Sequence, residues 1–189
     1  MNKIPTTPQI LTYGQKNRNI LDEIAAVGLF QIFTLVYQAL FRSGCLKSYH
    51  RLGGHLLVTL DGTQYFTSET IHCEDCSSRT HKNGTVTYFH NAILPVIVAP
   101  GQSHVISLAP EFICSQDGCE KQDSEVAAAK RWIDTYASEF SNQPITLLGD
   151  DLYSHQPMIE HCLKNGMNFI FTCLPTLREL HPIQPFMTG

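Results

Sequence analysis

Short runs of apolar and β-branched residues, separated by turn residues, dominate the pattern after residue 55. Residues 56–60 predict a first strand, 65–73 a second, and 85–99 one or two more. Residues 105–108 predict a strand that pairs back as a hairpin. Asp61-Gly62-Thr63 stands between the first two strands, and Asp-Gly is a favoured hairpin turn pair. This half of the chain therefore predicts a set of antiparallel strands.

The pattern changes to helix, strand, helix, strand after residue 120. Residues 120–140 carry apolar side chains at helical spacing, and Gln122, Asp123 or Ser124 can cap the start of this helix. Three further elements are predicted: a strand at 145–148, a helix at 156–164 ended by Asn165-Gly166, and a strand at 169–173 ended by Pro175.

The start of the chain predicts a separate helical segment and linker, residues 1–54. Residues 24–41 approach the length of a membrane span, but Gln31, Thr34 and Gln38 interrupt them at spacings of three and four. This spacing places the polar residues on one side of a helix. We therefore expect an amphipathic helix that packs against another surface, and no membrane span.

Composition narrows the class of protein. With 189 residues, 43% of them hydrophobic and 16% charged, the chain is that of one globular domain. A net charge of −4 argues against nucleic-acid binding by bulk electrostatics, although local basic patches are compatible with it. Seven cysteines, an odd number, without a signal peptide predict a reducing, cytoplasmic location.

Two aspartates follow predicted buried strands that are far apart in sequence, Asp61 after 56–60 and Asp150 after 145–148. Each is also explained as an ordinary turn residue. The order of the predicted elements is more informative than either aspartate alone. Meandering strands, then a crossover helix, then a strand parallel to the first are the topology of the ribonuclease-H-like fold. We therefore predict an α/β domain over 55–189, with a mixed sheet and flanking helices.

In that topology Asp61 and Asp150 meet at one edge of the sheet, where such sheets carry their sites. A pair of carboxylates can hold divalent ions that activate a nucleophile and stabilise a leaving oxygen, and Mg²⁺ suits oxygen ligands. Asp151 is the alternative to Asp150, and it would point to the other face of the strand. Glu125 is a further candidate, although an acid in the first turn of a helix is favoured by the helix dipole alone.

A Cys-His group forms a second candidate site. Cys73 and Cys76 have the two-residue spacing at which both thiolates bind one zinc ion. Ordinary free thiols are the alternative, since no second pair at regular spacing completes a zinc signature. Other residues that could contribute are His72, His81, His90, Cys114 and Cys119.

Several motifs follow one another along the chain, at 60–63 (Leu-Asp-Gly-Thr), 71–76, 84–90, 108–113, 116–118, 121–131 and 149–154 (Gly-Asp-Asp-Leu-Tyr-Ser). In this order they resemble the catalytic domain of bacterial insertion-sequence transposases of the DDE class. The resemblance covers roughly residues 20–175. It implies cleavage of transposon ends and their joining to target DNA, with Mg²⁺ or Mn²⁺ held by two aspartates and a glutamate on a ribonuclease-H-like core.

By position, the resemblance makes Asp61 the first catalytic acid and Asp150, three residues before Tyr153, the second. The family's third acid lies on a helix after the last strand, and residues 178–189 contain no such motif. The resemblance therefore implies an incomplete transposase. Two alternatives stay open. One is a non-catalytic remnant that binds DNA, binds zinc or pairs with the full-length enzyme through its apolar N-terminal helix, and the other is a metal-dependent nuclease of the same fold. The expected partners are DNA and another copy of the chain in a homo-oligomer.

Overall fold

The computed structural model describes residues 26–114, 123–140 and 142–173. The described residues form three α-helices: α1 (Ala26–Arg42), α2 (Glu125–Tyr136) and α3 (Gln156–Lys164). They also form nine strands: β1 (Leu56–Thr59), β2 (Gly62–Ser68), β3 (Ser77–Thr80), β4 (Val86–Ile93), β5 (Val96–Val98), β6 (Ile106–Ser107), β7 (Glu111–Ile113), β8 (Ile145–Gly149) and β9 (Asn168–Phe171). Short 3₁₀ turns cover Cys45–Tyr49, Ala137–Phe140 and Asp151–Tyr153.

Five strands form a mixed main sheet in the order β6-β5-β1-β8-β9. Strand β1 is antiparallel to β5 on one side and parallel to β8 on the other, with Leu56 paired to Ile145 and Thr59 to Leu148. Strand β9 is parallel to β8. The predicted placement of the strand at 145–148 beside the strand at 56–60 is confirmed, and the protein is of the α/β class.

The remaining strands form a second sheet, β2-β4-β3, with β7 also paired to β4. The predicted β1–β2 hairpin through Asp61-Gly62-Thr63 is therefore wrong. Gly62 does not have the positive φ that a tight hairpin turn requires. The chain instead runs on from the main sheet into the second sheet, and the Asp61 carbonyl accepts a hydrogen bond from the N–H of Leu94 (3.1 Å).

Element ends differ from the predicted ones where side chains interfere. Strand β2 begins at Gly62 and ends at Ser68 rather than at residue 73, because the Ser68 hydroxyl accepts hydrogen bonds from the N–H groups of Thr70 and Ile71. Strands β3 and β7 were not predicted from the sequence. The first helical turn of α2 is capped by Ser124, one of the three predicted caps, while residues 120–122 and Pro175 lie outside the described residues.

Helix α2 contributes Trp132 and Ile133, both fully buried, to a core that also contains residues of β1, β4 and β8. Helix α1 contributes Tyr37 to the same core, but it packs in an unexpected way. Its polar Thr34 is half-buried and donates a hydrogen bond to Glu139 (3.1 Å), whereas Leu35 is 64% exposed. Among the described helices none is long and apolar enough to cross a bilayer.

Candidate functional site

Strands β1 and β8 end side by side. The N–H of Leu60 donates to the carbonyl of Leu148 (2.9 Å), which extends the parallel ladder by one residue. Continuing this register puts Asp61 opposite Asp150, and both are exposed. The Asp150 Oδ1 accepts a hydrogen bond from the N–H of Leu152 (3.0 Å) and so caps the 3₁₀ turn that Asp151 begins. The two predicted aspartates therefore share one sheet edge.

Helix α2 brings a third acid to this edge. Its first turn is fixed by the Ser124 hydroxyl, which accepts a hydrogen bond from the N–H of Ala127 (3.2 Å). Glu125 then extends its carboxylate to the residue after Asp61: Oε1 accepts hydrogen bonds from the Gly62 N–H (3.1 Å) and the Tyr153 hydroxyl (2.7 Å). Glu125 is therefore hydrogen-bonded to both chain segments that carry the aspartates. These bonds are additional to its favourable interaction with the helix dipole.

Tyr153 lies at the centre of these acids and is fully buried. Its pKa is raised, first by burial, then by its hydrogen bond to Glu125, and further by the negative charges of Glu125, Asp150 and Asp61. The phenol therefore stays protonated and donates to Glu125 at any physiological pH. We call Asp61, Glu125, Asp150 and Tyr153 the acidic corner.

Two glycines make room for the acidic corner. A Cβ atom at Gly62 would clash with Oε2 of Glu125, and one at Gly149 would lie 2.6 Å from Cδ2 of Tyr153. Each glycine adjoins one of the aspartates in sequence. The pairs Asp61-Gly62 and Gly149-Asp150 therefore combine an exposed carboxylate with a backbone that a neighbouring side chain approaches closely.

The second candidate site lies on the second sheet. Cys73 Sγ and Cys76 Sγ are 3.6 Å apart, and each lies 3.2 Å from Nε2 of His90. Ligand atoms around a tetrahedral zinc ion, with Zn–S about 2.3 Å and Zn–N about 2.0–2.1 Å, are about 3.6–3.8 Å apart. The observed triangle is close to this size, so the group can hold a metal ion. We call Cys73, Cys76 and His90 the Cys–His centre.

Among the other predicted neighbours, the Cys114 thiol is not part of this triangle, and two histidines have separate roles. The His72 ring stacks on Tyr88, with centroids 4.4 Å apart, and His81 Nε2 hydrogen-bonds to the Thr87 hydroxyl (2.8 Å). Cys119 lies outside the described residues. Of the three predicted histidines, His90 is therefore the one that joins the two thiols.

The two sites differ in how far their ligands are assembled. Within the described residues, the Cys–His centre alone brings three metal-ligating atoms within 4.8 Å of one another. The carboxylates of the acidic corner are spread more widely around Tyr153. The sequence pattern identified Asp61, Asp150, Cys73 and Cys76 as candidate ligands, but it gave Tyr153 no role at the site. The signal that could have pointed to Tyr153 was an aromatic residue three positions after Asp150, which follows the strand-end Gly149.

No protein-family model matches the chain, and neither a curated protein nor a solved structure matches it.

Proposed function

We propose that this chain is a DDE-type transposase domain with a ribonuclease-H-like core, which transfers phosphoryl groups on DNA at the acidic corner. The observation that supports this most strongly is the parallel register of β1 and β8, which brings Asp61 and Asp150 to one sheet edge. The strand order β6-β5-β1-β8-β9, with α2 between the antiparallel strands and β8, also agrees with that fold.

The chemistry follows from the ligand type. Exposed carboxylates bind Mg²⁺ or Mn²⁺, which keep several waters and take further ligands from substrate phosphates. Such ions activate a hydroxyl nucleophile and stabilise the leaving oxygen. Asp61 and Asp150 would be the metal ligands, and the DNA would complete the coordination. Glu125 would act as a positioning residue, because its hydrogen bonds to Gly62 and Tyr153 fix both segments that carry the aspartates.

We propose Zn²⁺ as the ion of the Cys–His centre. Two thiolates and an imidazole are a soft ligand set that favours zinc over Mg²⁺ or Mn²⁺. The site joins the segment before β3 to strand β4, so the ion would stabilise the second sheet rather than take part in the reaction. The two metal sites would then differ in both ion and role.

A cleavage assay tests the proposed activity. The zinc-loaded chain is incubated with supercoiled plasmid and Mn²⁺, and nicked product is quantified by gel. We expect nicking by the parent, a loss of at least 100-fold in Asp61→Asn and Asp150→Asn, and near-parent activity in Asp151→Asn. Equal activity in all four proteins would point to a contaminating nuclease and contradict the proposal.

A metal-dependent nuclease of the same fold is the second candidate, and it is favoured by the position of Glu125, which adds a third acid beside the two aspartates. The two activities differ in the nucleophile, a DNA 3′-hydroxyl in transposition and water in hydrolysis. Incubating the chain with a labelled oligonucleotide that ends in a 3′-hydroxyl separates them. Transfer of the label to plasmid supports the transposase, and cleavage without transfer supports the nuclease.

A further inference from the structure

His90 lies at a junction between two strands on one edge of β4. Strand β2 pairs with β4 from residue 88 to 93, so it occupies one edge of that strand. Strand β3 pairs with residues 86–89 and β7 with residues 91–93, and both must therefore use the opposite edge. On this edge of β4, β3 begins opposite Phe89 and β7 ends opposite Asn91, so His90 lies between the two strands.

The register on each side of this junction brings a cysteine opposite His90. Ser77 pairs with Phe89, so Cys76, one residue before β3, is next in line to His90. Ile113 pairs with Asn91, so Cys114, one residue after β7, reaches the same place from the other side. Directly opposed residues of antiparallel strands project their side chains from the same face. Extending the β7 register by one residue would direct Cys114 toward the face that carries the Cys–His centre.

The surroundings of Tyr65 agree with this placement. Its ring stacks on His90 and also contacts Phe112, with centroids 5.8 Å apart in both cases. The pKa of Tyr65 is raised, first by burial and then by the thiols of Cys114, Cys73 and Cys76. All three thiols are therefore near enough to Tyr65 to influence it electrostatically.

The backbone of Cys114 is held in place as well. Its N–H donates to Oδ2 of Asp123 (3.3 Å), and the Asp123 carboxylate is in turn bound by Arg131 of helix α2 (2.8 and 2.9 Å). The backbone of Cys114 is therefore fixed next to the junction by this hydrogen bond.

We propose that Cys114 is the fourth ligand of the metal ion at the Cys–His centre, which makes it a closed tetrahedral site of three cysteines and one histidine. This inference rests on the zinc assignment proposed above. Structural zinc sites are four-coordinate and closed, and the fourth ligand here would come from the strand that leads toward α2. The ion would then tie together β4, the start of β3 and the end of β7.

Cobalt substitution tests the fourth ligand, because Co²⁺ in a tetrahedral thiolate site has intense visible absorption that depends on the number of sulfur ligands. The full chain is titrated with Co²⁺ and then with Zn²⁺. We expect a one-to-one tetrahedral spectrum in the parent, at least tenfold weaker Co²⁺ binding in Cys114→Ser, and recovery of tetrahedral binding with a shifted spectrum in Cys114→His. Cys45→Ser, which alters an exposed cysteine of a 3₁₀ turn, should match the parent.

The outcomes separate the two proposals. No tetrahedral spectrum in the parent would overturn the zinc assignment itself. A parent spectrum that is unchanged in Cys114→Ser but lost in Cys119→Ser would keep the zinc site and overturn the role of Cys114. Alkylation of the unmodified zinc-loaded chain, read by peptide mass mapping, needs no variant: Cys73, Cys76 and Cys114 should be protected, and alkylation of Cys114 at the rate of Cys45 would contradict the inference.

Discussion

At the Cys–His centre the ligand atoms lie between 3.2 and 3.6 Å apart, whereas the carboxylates of the acidic corner do not form a cluster within 4.8 Å. The soft ligands can meet without an ion because sulfur and an imidazole nitrogen can hydrogen-bond to one another. Carboxylates repel one another, and here Glu125 and Asp150 accept hydrogen bonds from the surrounding protein instead. Under the proposed roles, a structural metal site is preassembled, while a catalytic one is completed by its ions and its substrate.

Polar contacts lead from Cys114, the proposed fourth ligand of the Cys–His centre, to the start of α2. Asp123 binds the Cys114 backbone and the Arg131 guanidinium, and the Ser124 N–H donates to the Asp123 carboxylate (3.0 Å). The next residue is Glu125 of the acidic corner. The start of α2 is therefore held from the side of the Cys–His centre, and the four predictions that follow alter one region, the other, or this link.

The largest expected effect is that of losing the proposed zinc ion. A ligand present at about 1,000 times its Kd stabilises a protein by about 4 kcal/mol, which in a chain of this size corresponds to about 10 °C in melting temperature. We expect Cys73→Ser to lose bound zinc and to melt about 10 °C lower than the zinc-loaded parent. Metal analysis measures the bound zinc, and calorimetry measures the melting temperature. An equal melting temperature with and without zinc would show that the centre contributes no stability.

The next largest effect is expected from filling the space beside the acidic corner. In Gly149→Ala the new Cβ would lie 2.6 Å from Tyr153 and 3.1 Å from Phe171, so the buried Tyr153 ring and the partly buried Phe171 ring must move. Overpacking of this kind costs about 2 kcal/mol in the free energy of unfolding, which urea denaturation measures. Gly28→Ala is the matched control, since a Cβ there meets nothing within 4 Å. A cost no greater than that of the control would contradict the close packing.

A smaller loss is expected from removing the hydroxyl of Tyr153. Tyr153→Phe keeps the ring but leaves the Glu125 carboxylate without its shortest hydrogen bond, and hydrogen bonds to charged groups contribute about 1.5 kcal/mol. Urea denaturation of the zinc-loaded chain measures the change. If Glu125 positions both segments, Mn²⁺-dependent nicking should fall as well; unchanged stability and unchanged nicking would make this contact incidental.

The smallest effect concerns the link between the regions. Burial raises the pKa of Asp123, but the hydrogen bonds and charge of Arg131 outweigh burial, so the net pKa is lowered. A lowered folded-state pKa contributes stability above the unfolded value of about 3.9, and this is lost as the pH falls through the folded-state pKa. Asp123→Asn should therefore lower the free energy of unfolding by about 1 kcal/mol at pH 7, a value that allows for solvent screening of the ion pair. On acidification, the free energy of unfolding of this variant should fall by less than that of the parent.

Urea denaturation at pH 7 and pH 3 measures this difference. Glu69→Gln, at an exposed position after β2, is the control and should keep the pH dependence of the parent. An identical acid sensitivity in Asp123→Asn and the parent would show that the pair with Arg131 does not hold the start of α2.

Much of the fold follows from local patterns, and the rest depends on which strands meet. The helix at 156–164 was predicted with its observed ends, because Asn165-Gly166 is a strong stop signal and Gly166 has a positive φ (70°). The Asp61-Gly62 turn was mispredicted because the same pair also fits a strand whose glycine admits a neighbouring carboxylate. No sequence spacing reveals that contact, since Glu125 is 63 residues away.

The same limit applies to the sites. The Cys73–Cys76 spacing is local and could be seen in the sequence, whereas the choice of His90 over His72 and His81 depends on the register of β4 against β3. Likewise, Asp61 and Asp150 were identified at strand ends, but the role of Tyr153 depends on how the 3₁₀ turn folds back under α2. Ligands that lie close together in one segment can be predicted from the sequence. Ligands that come from paired strands can be identified only when the register of those strands is known.

The most direct test of the proposed function is a titration of Mn²⁺ into the zinc-loaded chain, followed by electron paramagnetic resonance, which reports the fraction of Mn²⁺ that is bound. We expect saturable binding by the parent and by Asp151→Asn, and loss of that binding in Asp61→Asn and Asp150→Asn. Cys45→Ser should bind as the parent does. Absence of binding in the parent, or equal binding in Asp61→Asn, would contradict a metal-dependent site at the acidic corner.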